Sequence, residues 1–454
     1  MKTESYKLLT KYPAGSTREI ASLAWPLMIT IMSGNLMIFV DRWLLSWYSL
    51  EAMNAIAVIA QVLCVFQFAP IALTSISEVF VGRFNGAQDY KQIGKPVWQM
   101  LWLALSLAIV YIPLGIFAWP LIPQEFQKEG IPYFQWMMSF SFLMPMIGAL
   151  AGFYAGRGQV KILSVVALVS NIINGILSAV LLFGIKGFIP SLGTKGAAFG
   201  TILAQLFYVG ILLFIFLKRE NRKLYHTHKW PFHKKLFREC IDIGLPNSVS
   251  HSIEFGGWAL VTLLVASLGM EYATVNNIAV SIFVLFNFLV EALQKSVIAI
   301  ASNLIGAEKD GKINKAIRSA AKFQGVLVMI TSLPLVFFSS YLIRLFIHDE
   351  ATLEALLRPT QIAVVFVWLY FSIDGMSWIF AAVLTAAGDT KFIMKTNMVT
   401  IFLFCLFPVY LFVYLQKGPY YLPWAISAFY SSVNFSLFCW RYKSNIWRQN
   451  LEPV

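Results

Sequence analysis

Apolar runs long enough to cross a bilayer recur from one end of the chain to the other, separated by short polar or basic turns. About 20 helical residues span a hydrocarbon core of about 30 Å. The pattern predicts twelve such helices, at roughly residues 20–47, 52–81, 97–122, 133–156, 162–185, 196–217, 241–268, 273–305, 323–347, 359–386, 392–415 and 421–440. Pro26, Pro70, Pro145, Pro246, Pro334 and Pro408 fall inside these spans, where a missing backbone N–H permits bends. The predicted fold class is all-α integral membrane.

The second half of the pattern repeats the first. Arg18, Glu19 and Pro26 recur as Arg238, Glu239 and Pro246, 220 positions on. Asn54, Ile56, Ala57 and Val58 recur as Asn276, Ile278, Ala279 and Val280; Gly86, Ala87, Ile93 and Lys95 recur as Gly306, Ala307, Ile313 and Lys315; Gly158 and Lys161 recur as Gly388 and Lys391. Matches kept in order at equivalent helix ends indicate internal duplication. The division expected is an amino-terminal six-helix lobe, 1–217, a linker, 218–238, and a carboxy-terminal six-helix lobe, 239–454. An even number of spans per copy inserts both copies the same way, an arrangement suited to alternating access around a site near mid-membrane. Pro26 and Pro246 hold matching places in the first helix of each lobe and are candidate hinges. The linker histidines, His226, His228 and His233, are read as solvated rather than metal-binding.

Composition narrows this further. The 454 residues are 58% hydrophobic and 13% charged, with a mean hydropathy of +0.70, too few charges to clothe a soluble domain of this size. A net charge of +13 would suggest nucleic acid in a soluble protein, but the basic residues are placed on one side. With a cytoplasmic amino terminus, most of the 35 Lys and Arg fall in inner segments, while the outer loops hold Lys128, Lys186, Lys195, Arg358 and Lys417. That asymmetry places both termini in the cytoplasm, makes the inner membrane the expected location, and reads the surplus as topology and lipid-headgroup contact. No removable signal peptide is expected from the opening residues, which lack a short apolar core followed by a small-residue cleavage site. Cys64, Cys240, Cys405 and Cys439 are scattered, so neither a disulfide nor zinc is expected. No nucleophile–base pair, metal cluster or phosphate loop is found, which argues against an enzyme, a resident cofactor and direct ATP drive.

Ionisable side chains at bilayer depth are costly and mark candidate sites. Glu254 lies near the middle of helix 7 and Asp374 near the middle of helix 10, with Tyr370 one turn before Asp374 on the same face. Two carboxylates and a phenol oxygen supply hard oxygen ligands or a proton-accepting pair. Asp41 lies in the outward third of helix 1, and Arg42 beside it points about a hundred degrees away and can snorkel. Glu291 and Lys295 in helix 8 are spaced to pair with each other along a wet cavity. His251, one turn before Glu254, is either a cavity proton carrier or a polar helix contact.

With these residues in place, the chain resembles the multidrug and toxic compound extrusion (MATE) family over nearly its whole length. The resemblance rests on the opening helix with Pro26 and Asp41, on GAQDYKQIGK at Gly86 and GAEKDGKINK at Gly306, on NIINGILS from Asn171, on GTKGAAFGT ending at Thr201, and on helices 7 and 10. It implies an antiporter that expels small organic compounds, commonly cationic and amphipathic, in exchange for Na⁺ or H⁺; a monomer is expected. It implies cation-binding positions at Glu254, Asp374 and Tyr370 in one lobe and at Asp41, Asn174 and Thr201 in the other. Ser178 stands where many members carry a helix 5 carboxylate, and Arg42 and Lys295 add positive charge that is unusual for the family. A flippase for a lipid-linked precursor, or an exporter of an anionic metabolite, therefore stays open as an alternative.

Overall fold

The computed structural model describes residues 9–122, 124–347 and 349–451. Lys2 and Lys7, part of the basic amino-terminal count, lie outside the described residues. Among those described, ten helices are each long and apolar enough to cross a membrane: α1 (Thr17–Tyr48), α2 (Glu51–Gly86), α3 (Tyr90–Phe117), α5 (Val160–Phe183), α6 (Thr194–Phe216), α7 (Lys234–Ala266), α8 (Met270–Gly306), α9 (Asp310–Phe337), α10 (Glu350–Ala386) and α11 (Thr390–Leu415). An eleventh, α4, is a pair, Gln127–Ser139 and Leu143–Ala155, bent by 41°. The twelfth, α12 (Leu422–Lys443), is of spanning length, but Ser427, Ser431, Ser432, Asn434 and Ser436 dilute its hydropathy. Those polar residues matter below.

The duplication is visible in the backbone. At the end of α2 the Asp89 amide donates to the Phe84 carbonyl (3.0 Å) and the Gln88 amide to that of Asn85 (3.2 Å), with Gln88 left-handed at φ 61°. At the end of α8 the Lys309 amide donates to Leu304 (2.8 Å) and Glu308 to Ile305 (3.0 Å), with Glu308 at φ 54°. These are the same helix-closing motif at the same offset. The turns after α4 and α10 repeat it at Gly158 (φ 70°) and Gly388 (φ 81°), where glycine takes a conformation other residues resist.

The described residues divide into two compact units, Trp25–Ser248, and 9–24 together with 249–451. The breaks fall two residues from Pro26 and from Pro246, so α1 and α7 each contribute to both units. In the unit containing the carboxy-terminal half, the segment before α1 is tied down: the Gly15 amide donates to Glu19 (2.6 Å), and Ser319 of α9 donates to the Gly15 carbonyl (2.7 Å). In the other unit the linker is strapped onto α3. Trp98 donates to the Thr227 carbonyl (2.8 Å), Trp102 to that of Trp230 (3.0 Å), and the His233 amide to Gln99 (2.9 Å). Ser248 there donates to the Ala69 carbonyl of α2 (2.6 Å).

Proline within a span frees a carbonyl that must find another donor. Pro70 leaves the Phe66 carbonyl without its helical N–H, and the Tyr111 hydroxyl of α3 supplies one at 2.7 Å. At Pro26 a different bond is found, with Ser164 of α5 donating to the carbonyl of Pro26 itself (2.6 Å). Large apolar side chains such as Ile109, Phe117, Val165, Phe337 and Phe407 stand exposed on the bundle surface, as lipid contact requires.

Candidate functional site

Two polar clusters lie inside the helix bundles, one in each unit. In the unit containing the carboxy-terminal half, α7 presents His251, Glu254 and Trp258 along one face, and α10 presents Tyr370, Asp374 and Trp378 at successive turns. Asp374 is buried, and each of its oxygens is held: the Trp378 indole donates to Oδ2 (2.8 Å) and the Ser431 hydroxyl of α12 to Oδ1 (3.3 Å). Tyr370 lies beside it. Glu254 and Asp374 lie close enough to repel one another, an arrangement a cation or a shared proton relieves. Tyr430 of α12, fully buried, is next to Glu254.

Aromatic rings close one side of this cluster. Trp258 meets Tyr370 edge-to-face (5.5 Å) and stacks on Trp424 (5.9 Å), and Phe283 of α8 packs against Tyr370 (5.4 Å). On the other side the His251 ring lies parallel to Trp378 at 5.3 Å. His251 is also within electrostatic reach of Glu291 and Lys295, which pair at 3.3 Å and are each about 40% exposed. Charges so placed along α8 require water rather than lipid.

The amino-half cluster joins α1, α5 and α6. Asn174, fully buried, donates to Thr201 Oγ1 (3.1 Å) and to Ser178 Oγ (3.4 Å), and Asp41 lies beside Ser178 and Asn174. Asp41 Oδ1 and Asn174 Oδ1 are buried and complete no hydrogen bond. Orphaned oxygens of this kind fit a small cation. Ser178 sits under Gly200: a side chain at Gly200 would meet the Ser178 backbone nitrogen at 2.6 Å, so α5 and α6 approach closely at the site.

The sequence-predicted residues thus fall into two groups. Glu254, Asp374, Tyr370 and His251 share one cluster, with Glu291 and Lys295 at its edge; Asp41, Asn174 and Thr201 share the other. Arg42 is exposed on α1, in electrostatic range of Cys64, and takes no part in the Asp41 cluster. The linker histidines are separate from both: His226 and His228 lie edge-to-face at 6.0 Å, and His233 bonds to Gln99 through its backbone. Sequence reasoning missed Trp378, Tyr430 and Ser431. Trp378, one turn from Asp374, carried a signal in its spacing; the α12 residues carried one only in the serine content of that span.

Twelve helices in two duplicated halves, with buried oxygen clusters inside the bundles, define a multi-pass membrane transporter. The MatE family model matches the chain twice, over residues 26–180 and 246–411, so the chain belongs to the MatE family. The two matches begin at Pro26 and Pro246, the offset of the repeat. Among curated relatives, a probable multidrug resistance protein NorM of Thermotoga maritima is 23% identical over 354 residues, covering 76% of this chain and 75% of the relative. An uncharacterized transporter, YisQ, of Bacillus subtilis is 24% identical over 403 residues, covering 86% of each. Among solved structures, a MATE protein in complex with MaL6 aligns with a TM-score of 0.86 at 16% identity, over 99% of this chain and 100% of that one. A Pyrococcus furiosus transporter of the MOP superfamily, described as having a binding pocket of reverse polarity that suggests a different function, aligns with a TM-score of 0.83 at 17% identity over 99% of each. These likenesses show the fold.

Proposed function

We propose that this chain is a cation-coupled antiporter that exports small organic, amphipathic compounds across the cytoplasmic membrane by alternating access, driven by Na⁺ or H⁺, with both termini in the cytoplasm. The observation that carries the reading is the Glu254–Asp374 pair: two mutually repelling carboxylates inside a helix bundle, with Trp378 and Ser431 donating to Asp374 and Tyr370 and Tyr430 beside them. Such a pair gains from a bound cation, whether coupling ion or cationic substrate, and competition between the two for one site is sufficient for exchange. Relatives named as probable multidrug resistance proteins support organic compounds as cargo. Asp41, Asn174 and Thr201 form a second position for the coupling cation, and bending of α1 and α7 beside Pro26 and Pro246 accompanies the change of access.

The reading is tested with purified protein in vesicles under separately imposed Na⁺ and pH gradients, using a panel of cationic, neutral and anionic compounds. Glu254→Gln and Asp374→Asn are expected to abolish gradient-driven export, and intact export by both variants rejects the assignment. The alternative, a flippase or an exporter of anionic metabolites, draws on Lys295 and Arg42. Lys295 is paired with Glu291 at 3.3 Å, which neutralises much of its charge and favours the first reading.

A further inference from the structure

The carboxylate pair has donors on α12 that the family resemblance did not supply. Tyr430 is 0% and Asn434 is 4% exposed, and they stand one turn apart on the same face of α12. The hydroxyl of Tyr430 and Oδ1 of Asn434 are both buried and complete no hydrogen bond. Buried polar atoms are rarely left so, because each has lost its water without replacement. Tyr430 lies beside Glu254 and within electrostatic reach of Asp374, and Asn434 lies beside Tyr430. Between them in sequence, Ser431 donates to Asp374 Oδ1 (3.3 Å) while Trp378 donates to Oδ2 (2.8 Å), so both oxygens of that carboxylate are fixed in direction.

These features discriminate between coupling ions. A proton needs one carboxylate oxygen and gains little from neutral oxygens beyond it. Na⁺ is a hard cation that must replace several waters with oxygen ligands. The oxygens the cluster offers a cation are those of two carboxylates, the Tyr370 and Tyr430 phenols and the Asn434 amide. We propose that Tyr430 and Asn434 of α12 are neutral oxygen ligands that complete a Na⁺ site with Glu254 and Asp374, and that these two residues set a preference for Na⁺ over the proton. This rests on the carboxylate pair being the cation site.

The test uses the full-length protein in lipid nanodiscs and reads binding rather than transport. Tryptophan fluorescence and the thermal unfolding midpoint are followed while NaCl replaces choline chloride at constant ionic strength and pH 7.5; Trp258, Trp378 and Trp424 surround the site as reporters. Na⁺ is expected to change the fluorescence and raise the midpoint. Tyr430→Phe, which removes a single oxygen, and Asn434→Leu are each expected to raise the half-saturating Na⁺ concentration at least tenfold. Their midpoints without Na⁺ establish that they fold, and Asn434→Ala serves if the leucine variant does not. If Glu254→Gln abolishes the response while both α12 variants keep the wild-type affinity, the α12 ligands are rejected and the carboxylate site stands. If Glu254→Gln and Asp374→Asn both retain the response, the carboxylate site itself is rejected. A wild-type protein that ignores Na⁺ while Glu254→Gln abolishes pH-driven export shows a proton site and overturns the proposal.

Discussion

Asp374 owes its orientation to two neighbours that hold no charge. Trp378 is the stronger, at 2.8 Å, and also lies flat on His251. Trp378→Phe keeps the ring on His251 and removes only the donor. A hydrogen bond to a charged group contributes roughly 1.5–3 kcal/mol, so this change is expected to weaken cation binding about tenfold or more with little effect on folding; a titration of cation-dependent fluorescence from the remaining tryptophans checks it. Ser178 presents a steric case. Because the Gly200 position already touches the Ser178 backbone, Gly200→Val is expected to push α6 from α5 and separate Thr201 from Asn174, now 3.1 Å apart. Overpacking of this kind costs about 1–3 kcal/mol and is read as a lower thermal midpoint. The same contact bears on the absence of a carboxylate at 178, since the close α5–α6 approach leaves a small side chain there.

At the scale of the helix, the spans depend on how their ends and interruptions are satisfied. Tyr111→Phe strands the Phe66 carbonyl freed by Pro70 and is expected to lower stability by about 1–2 kcal/mol, measured as the unfolding midpoint in detergent. The start of α10 is capped by Asp349, which accepts from the Thr352 amide (2.8 Å) and hydroxyl (2.6 Å). Those bonds hold its carboxyl below the usual aspartate range. A lowered folded-state pKa means the cap is fully present above the ordinary aspartate pKa and is lost as pH falls through the depressed value. Amide exchange at Thr352 is therefore expected to stay protected on mild acidification, and Asp349→Ala to remove that protection at every pH.

Across the whole molecule, the charge on α8 is expected to bear on which cargo the proposed exporter tolerates. Glu291 compensates Lys295, so Glu291→Gln leaves an unbalanced positive charge near His251. Export of organic cations is expected to fall relative to neutral compounds, with Glu291→Gln/Lys295→Gln restoring the ratio, as measured by competitive efflux from vesicles. An unchanged ratio in the single variant would remove Lys295 from the substrate path. The repeat provides a scaffold that both halves share, down to the hydrogen bonds that close α2 and α8, but the polar contents differ. One cluster combines a carboxylate with amide and hydroxyl oxygens, and the other combines two carboxylates with phenols and indoles.

Twelve spans, their duplication and the intramembrane carboxylates were legible in the chain alone, because helix formation in a bilayer follows from local hydropathy and length, and ionisable residues stand out against it. Glu254, Asp374 and Tyr370 could be placed together in part by helical spacing. Partners on other helices could not: Ser431 reaches Asp374 across 57 residues and Asn174 reaches Thr201 across 27. Which face of α12 turns inward depends on how each helix rotates against its neighbours, a matter of side-chain packing that hydropathy does not encode. The tertiary structure alone therefore decided that Tyr430, Ser431 and Asn434 belong with the carboxylates. It also decided that the segment before α1 packs with the carboxy-terminal half, where Ser319 donates to the Gly15 carbonyl across 304 residues.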